Sequence, residues 1–459
     1  MVFDPNAYTV EETTLFGQTI RYRVWRNIPY VEKPVVPEYQ RLNLFAPEAL
    51  FAGESIHGYT LATAPVFVPN TVGGYMPGAS DEPKEDRHHP GQANAVFQAL
   101  RHGYIVAAPA IRGRSQSGGQ APACIVDYKA AVRWLHYFAH VLPGDEDKII
   151  TNGTSAGGAI SALMGATGDH PDYKPYLEEI GAAEASDAVF AASCYCPITN
   201  LDHADMAYEW EFAGVYDYHR KHMRKDEGGR PSFEAIDGEL TDLQRKTSQD
   251  LAAAFPAYVN SLELKDETGT PLTLDAQGNG SFKAFLEKTV LDSARRAMER
   301  SAEVSGKAWL VMENGWPAAM DFAAYVRDIT RMKTAPAFDD LTMASPENHL
   351  FGTPEQSHRH FTAYSAAHSL QDGSLAPARL VKLLNPMDYL ADSAAVKAPH
   401  WRIRHGECDR DTSLAISAIL TLKLREYGYP VDYHSPWDTP HAGDYDLEEL
   451  FAWIDSICR

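Results

Sequence analysis

The chain has 459 residues, with 44% hydrophobic and 22% charged side chains, a composition that excludes disorder and allows a sizeable core. Its 41 Lys and Arg stand against 62 Asp and Glu, and the net charge of -21 lacks the basic face that nucleic acid or an anionic membrane would need. Five cysteines without C-x-x-C spacing (Cys124, Cys194, Cys196, Cys408 and Cys458) indicate neither a disulfide framework nor a zinc cage. The start carries Asp4, Glu11 and Glu12 where a leader would be basic and then apolar, and no run approaches the roughly 20 apolar residues that span a bilayer. A soluble protein in a reducing cytoplasm is expected.

From Thr14 to Pro47, the short alternating runs TIRYRVW and RLNLFAP read as opening antiparallel strands. Ala64 to Pro69 reads as an apolar strand leading into the Gly-rich loop NTVGGYMPG. A helix over NAVFQALRHG and a second apolar strand, Tyr104 to Ala110, follow. Cys124 to His140 carries Ile125, Tyr128, Val132, Leu135 and Ala139 at spacings of three and four, the mark of a helix that buries one face. A strand at Lys148 to Asn152 runs into GTSAGGAISALMGA, and Asp187 to Cys196 supplies another apolar strand. The rhythm is then lost until about Pro386, although helices are predicted near 240–262 and 282–302. It resumes with a strand at His400 to Arg404, a helix at Leu414 to Tyr427, a strand at Val431 to His434 and a helix from Asp446 to Ile457. Strands alternating with helices predict a mostly parallel sheet covered on both faces. Residues 1–199 and 391–459 are expected to form this α/β core, and 200–390 an inserted lid.

The sharpest motif is Gly153-Thr154-Ser155-Ala156-Gly157, a G-x-S-x-G between a predicted strand and a predicted helix. Such a strand-to-helix turn is so tight that its serine takes a strained backbone and its flanks must be small, as in the nucleophile elbow of the α/β-hydrolase fold. A serine nucleophile needs a base, and in this fold the order along the chain is Ser, then Asp or Glu, then His. R-H-G-E-C-D-R-D offers Glu407, Asp409 and Asp411 after one strand, and S-P-W-D-T-P-H offers His441 after the next. Both loops follow the carboxyl ends of strands, where the catalytic groups of such sheets gather. Ser155 as nucleophile, His441 as general base and Asp409 as its orienting acid form the expected triad, with Asp411 and Glu407 as rivals for the acid. An oxyanion hole is expected from the Ala156 N–H and that of Gly74 or Gly73 in V-G-G-Y.

The blocks PNTVGGYMPG, NGTSAGGAISALMGATG, RHGECDRDTSLAI and PWDTPHAGDYDLEELFAW together resemble the bacterial tannases, the tannin acyl hydrolases, over most of the chain. The resemblance implies an α/β-hydrolase fold with a large lid inserted after the strand that follows the nucleophile helix. It also implies that Lys333, Glu347 and Asp411 grip a gallate ring, that Asp409 is the triad acid, and that Ile198 and Pro346 flank the ring. Taken alone, Lys333 and Glu347 would read as surface charges, and Ile198 and Pro346 as packing. The implied activity is hydrolysis of galloyl esters through an acyl-enzyme, with no metal or organic cofactor. The partner expected is a small-molecule galloyl ester rather than nucleic acid or membrane. The oligomeric state stays open, with a monomer as the working expectation.

Other readings use the same residues differently. A feruloyl or other aromatic carboxylesterase would keep the triad without the Lys333, Glu347, Asp411 set. A serine exopeptidase would use an acidic pair to bind an ammonium, which a neighbouring Lys333 would repel. An inactive binding protein of the same fold would not need the triad. The charged run DEPKEDRHH, Asp81 to His89, reads as a solvated loop rather than a metal site. His358 and His360, two apart, would face opposite sides of a strand. Tyr208, Trp210, Tyr216 and Tyr218 read as core of the insertion.

Overall fold

The computed structural model describes residues 1–225, 231–304 and 306–459, with backbone alone for 221–225 and 231–233. In chain order the first strands are β1 (Thr9–Leu15), β2 (Gln18–Pro29), β3 (Arg41–Pro47), β4 (Pro65–Pro69), β5 (Ile105–Pro109), β6 (Asp145–Thr154) and β7 (Ala191–Tyr195). Two hairpins follow, β8 (Asp217–Lys225) with β9 (Pro231–Glu239) and β10 (Leu310–Glu313) with β11 (Trp316–Met320), before β12 (His400–Arg404) and β13 (Val431–His434). Nine of these strands make one sheet in the order β1-β2-β3-β5-β4-β6-β7-β12-β13. Pairing is antiparallel from β1 through β3 to β5 and parallel from there to β13. β4, β5 and β7 are buried apolar runs, and most of the second half of β6 and all of β12 after His400 are buried as well, as expected of strands covered on both faces.

β1 was not anticipated: TVEETTL is polar because it lies at the sheet edge, where most of its side chains meet water. The strand expected from Asp187 begins only at Ala191. Asp187 is buried and accepts hydrogen bonds from Lys129 Nζ (2.8 Å) and Arg133 Nε (2.7 Å) on the helix Ala123–Phe138. His360 is not in a strand. It is fully buried and bonded to Asp339 and Ser369, whereas His358 stacks on His349.

β7 and β12 pair in register from Ala191/His400 to Tyr195/Arg404, so everything between them in sequence is an insertion at the carboxyl end of β7. Its helices include Leu201–Glu211, Asp242–Ser261, Ser281–Glu299 and Phe322–Ile329. Near the end of this segment Tyr173 donates to the Leu383 carbonyl (2.8 Å) and Lys382 pairs with Asp172 (2.7 Å). Tyr208 and Trp210 are buried in the insertion, and Tyr216 and Tyr218 are half-buried. Asp86 in the run 81–89 accepts from the backbone N–H groups of His88 and His89, closing that loop on itself. No helix among the described residues is long and apolar enough to cross a membrane.

Lys129 and Asp187 form a fully buried pair. Burial alone would raise the Asp187 carboxyl, but Lys129 and Arg133 outweigh it and hold it below its ordinary value. Asp187→Ala leaves the Lys129 ammonium buried without its counter-charge. The expected loss is about 3–5 kcal/mol of stability, read as a lower urea midpoint; a midpoint within error of the parent would refute the pairing.

Candidate active site

The site begins where β6 ends. Ser155 has φ +62° and ψ −123°, a left-handed backbone forced by the turn from Thr154 into the helix Ala156–Ala166. Such strain costs on the order of 1–3 kcal/mol and survives only when its surroundings dictate it. They do so here by close approach: a Cβ on Gly157 would lie 2.5 Å from Asn70 Oδ1 and 2.7 Å from the Val72 carbonyl. The loop after β4 is therefore pressed against the elbow. Asn70 fastens it, donating to the carbonyls of Asn152 (3.0 Å) and Gly157 (3.1 Å). Ser155 N–H donates to the Tyr195 carbonyl (2.9 Å), which ties the elbow to β7.

The same β4 loop carries Gly73 and Gly74. The Gly73 carbonyl accepts from Met76 N–H (2.9 Å) and the Gly74 carbonyl from Arg114 Nε (2.7 Å). Gly74 and Tyr75 both have positive φ, and the Tyr75 hydroxyl donates to the Ile198 carbonyl (3.2 Å). Ile198 N–H donates in turn to the Ser155 carbonyl (3.3 Å). Buried Ile198 thus sits at the elbow.

His441 reaches this place through the loop after β13. Gly443 packs so closely that a Cβ there would fall 1.8 Å from Thr154 Oγ1, next to Ser155. His441 Nδ1 lies 2.7 Å from Asp409 Oδ2. Asp409 Oδ1 accepts from the N–H groups of Asp411 (2.8 Å) and Thr412 (3.3 Å). Of the three acids in this loop, Asp409 holds the histidine. Glu407 accepts instead from Asp438 N–H (3.2 Å), and burial pushes its carboxyl up to about 7. Burial would also raise Asp409, but His441 and His405 reverse this and bring it down to about 2. His441 is driven down by burial and more strongly up by Asp409, ending well above 6.5. Cys196 Sγ is 3.8 Å from His441 Nε2, a neighbour the sequence did not bring to notice.

Lys333 and Asp411 meet at 3.6 Å, and the Lys333 ammonium stands 3.9 Å over the Phe338 ring. Glu347, in the short helix Pro346–Leu350 after the Ser345 cap, is buried. Burial raises its carboxyl, while Lys333 and Arg114 draw it back. Lys333, Glu347 and Asp411 therefore act on one another electrostatically, and Pro346 opens the helix that holds Glu347. The insertion positions Lys333 through Tyr208, whose hydroxyl accepts from the N–H groups of Met332 and Lys333 (both 3.1 Å) and donates to the Arg410 carbonyl (2.9 Å). Arg331, buried in a two-bond pair with Glu209 (2.8 and 2.9 Å), also donates to the Lys333 carbonyl (2.8 Å).

Arg114 was not singled out from sequence. It spans Gly74, His349 Nδ1 (3.0 Å) and the field of Glu347, so it joins the elbow's loop to the Lys333 cluster. Its sequence context, I-R-G-R-S, gives no periodic or motif signal; only the fold brings it here.

The family model described as BD-FAE matches residues 65–209, the part of the core that contains the elbow. Esterase LipC of Mycobacterium tuberculosis is 40% identical over 68 residues, a match that spans 15% of this chain and 17% of that protein. The crystal structure of tannase from Lactobacillus plantarum is 46% identical, with all of each chain covered and a TM-score of 0.96. The chain belongs to the tannases. A tannin acyl hydrolase structure in complex with ethyl gallate is 45% identical, covering 100% of this chain and 99% of that one, with a TM-score of 0.93. The mostly parallel sheet of this tannase is that of an α/β-hydrolase, and the enzyme is a carboxylic ester hydrolase.

The shifts of Asp409 and His441 have opposite signs and a defined pH window. Asp409, lowered from 3.8, contributes stability above that value and loses it as pH falls through about 2. His441, raised from 6.5, contributes fully below 6.5 and loses it as pH rises through its folded value. The pair stabilises the fold most between about pH 4 and 6.5. In Asp409→Asn the burial of His441 remains while its counter-charge goes. NMR titration of the ring should show its midpoint fall from above 6.5 to below it, and an unmoved midpoint would contradict the assignment.

Proposed function

We propose that Ser155, His441 and Asp409 are the catalytic triad of this tannase and that Lys333, Glu347 and Asp411 bind the phenolic hydroxyls of a galloyl ester. One observation carries the reading: a lysine and two carboxylates, one of them buried, converge beside the loop whose Asp409 holds His441. Three adjacent phenol hydroxyls are donors that two carboxylates can accept, and an ammonium favours a phenol oxygen lone pair or a partly ionised phenol. The complex of a related tannin acyl hydrolase with ethyl gallate supports a ligand of this class.

In this mechanism the neutral form of His441, populated as pH rises through its raised folded value, takes the proton of Ser155 Oγ through Nε2 as the oxygen attacks the ester carbonyl. Asp409 holds the tautomer and stabilises the imidazolium. The N–H of Ala156, with that of Gly74 or Gly73, receives the oxyanion. His441 returns the proton to the leaving alcohol, a galloyl-enzyme remains on Ser155, and water activated by His441 releases gallate. Residues 200–390 serve as the lid that brings Lys333 and Glu347 over the elbow, with Ile198 and Pro346 against the ring. All these side chains come from one chain, so a monomer is sufficient. A cytoplasmic location belongs to this reading, because the free thiols would stay reduced there.

The aromatic carboxylesterase alternative makes no use of the convergent charges. The exopeptidase alternative is opposed by Lys333, which would repel a substrate ammonium bound at Asp411. Methyl gallate should be turned over far faster than methyl ferulate or methyl benzoate; a preference for benzoate would overturn the gallate assignment. Ser155→Ala should lose on the order of 10⁴-fold or more in kcat. Glu347→Ala and Asp411→Ala should each lower kcat/KM for methyl gallate by about 10- to 100-fold, since a hydrogen bond to a charged group contributes about 1.5–3 kcal/mol. Turnover of an activated ester should change little in these two variants. Equal loss on both esters would assign the two carboxylates to the fold or the triad instead.

Tyr208→Phe removes the acceptor of two backbone N–H groups and the link to the Arg410 carbonyl. KM for methyl gallate should rise, with a stability loss of about 1–3 kcal/mol. An unchanged KM would show that Lys333 is held without it.

A further inference from the structure

A second histidine lies against the proposed triad acid. His405 follows β12 directly and is 1% exposed. Its backbone N–H donates to the His434 carbonyl at the end of β13 (3.2 Å), and the turn from His405 to Asp409 is closed by the Asp409 N–H on the Gly406 carbonyl (3.1 Å). Gly406 is pressed against the segment that leads into His441, for a Cβ there would fall 2.1 Å from the Thr439 carbonyl oxygen. The backbone beside the His405 ring is thus fixed to both loops, the one that carries the acid and the one that carries the base.

The ring has two unequal ends. Nδ1 lies 3.0 Å from Ser417 Oγ on the helix Leu414–Glu426. Nε2 is buried and has no hydrogen-bond partner among the described residues, yet it lies 3.8 Å from Asp409 Oδ2, the oxygen that also meets His441 Nδ1. Burial, with His441 beside it, keeps the ring below 6.5 in spite of Asp409, so it is neutral at pH 7. A neutral imidazole carries its proton on one nitrogen only. On Nδ1 the proton would leave a lone pair facing a buried carboxylate. On Nε2 it presents the positive end of the N–H dipole to Oδ2, while the Ser417 hydroxyl donates to Nδ1. The second arrangement is favoured at both ends. At 3.8 Å the contact with Oδ2 is a charge–dipole attraction and not a hydrogen bond, and burial strengthens it.

We propose that His405 is a positioning residue of the triad, whose Nε2–H shares Asp409 Oδ2 with His441 and limits the hold of the carboxylate on the His441 proton. The proposal rests on the assignment of Asp409 and His441 to the triad. Asp409 has to orient His441 without making its imidazolium too stable, since only the neutral ring can take the Ser155 proton. A positive dipole end at the shared oxygen opposes the imidazolium and leaves the orienting bond intact. Asp411 and Cys196 also act on His441, and Glu211, Cys408 and Tyr325 lie in the field of Asp409. None of these five is altered in the variants that test the proposal.

The first test uses the unmodified enzyme. With 15N-labelled histidine, NMR should show the His405 proton on Nε2 at pH 7; a proton on Nδ1 would overturn the proposal. The second compares His405→Phe, which keeps a ring without the N–H, with His405→Gln, whose amide can return an N–H near the Nε2 position. In His405→Phe the titration midpoint of the His441 ring should rise by about half a unit or more. The pH profile of kcat/KM for methyl gallate should rise with it, while KM changes little. His405→Gln should bring the midpoint most of the way back. An unmoved or lowered midpoint in His405→Phe, or one that rises equally in His405→Gln, would overturn the proposal. A ring midpoint that rises while the kcat/KM profile stays in place would support the link from His405 to His441 and count against His441 as the base, so failure of the triad assignment is told apart from failure of this inference.

Discussion

The buried Asp409 carboxylate makes one geometric unit of the site. One oxygen fixes His441, and the other accepts the N–H groups of Asp411 and Thr412. The position of the proposed base and the position of a proposed ring-binding acid are therefore set by the same group. A carboxylate so enclosed would ordinarily favour its neutral form. It stays ionised here because His441, His405 and the backbone donors outweigh the loss of water. If it were neutral, it would bind His441 less strongly and hold the loop less firmly.

The insertion is not simply laid over this unit but bonded into it. The helix Leu201–Glu211 carries Tyr208, which bridges the Lys333 backbone to Arg410, and Glu211, which accepts from Ser413 Oγ (2.5 Å) and Leu414 N–H (2.9 Å) at the start of the helix Leu414–Glu426. Burial raises Glu211 to about 8, although the Leu414 N–H and the Ser413 hydroxyl favour its charged form. Glu209 pairs with Arg331, and Asp205 accepts from the N–H groups of Phe338 (2.7 Å) and Asp339 (3.1 Å). Four polar residues within seven positions of one helix thus attach the segment that carries Lys333 to the loop that carries Asp409. Such fastening favours a fixed position for Lys333 over one acquired on binding.

The parallel core was readable because its strands are short apolar runs and its helices bury one face. β12 and β13 fall where the pattern places them, and so does the elbow. The residues that the sequence did not reveal owe their roles to contacts between distant segments. β1 has the composition of an exposed edge, and the chain enters β7 late because Asp187 answers to Lys129 on another element. Arg114, Tyr208 and Cys196 lie in unremarkable stretches and become neighbours of the site only after the sheet has closed. Lys333 and Glu347 came to notice through resemblance alone. Nothing in R-M-K-T or S-P-E-N states that a lysine over Phe338 and a buried glutamate at a helix start will face the same aspartate.

Arg114 shows how recognition and chemistry can be coupled across the site. Its Nε holds the Gly74 carbonyl, and its charge lowers the cost of keeping Glu347 ionised. In the proposed mechanism the first contact orients a loop that offers an oxyanion donor, and the second supports a carboxylate that accepts a phenol. A phenol donating to Glu347 would favour its ionised form, and the guanidinium can respond by moving relative to Gly74 or by strengthening its hold. Because His349 also fixes it at 3.0 Å, movement is the costlier response. Ring binding would then be felt at the Gly73-Gly74 turn through a rigid cation, in preference to any rearrangement of the sheet.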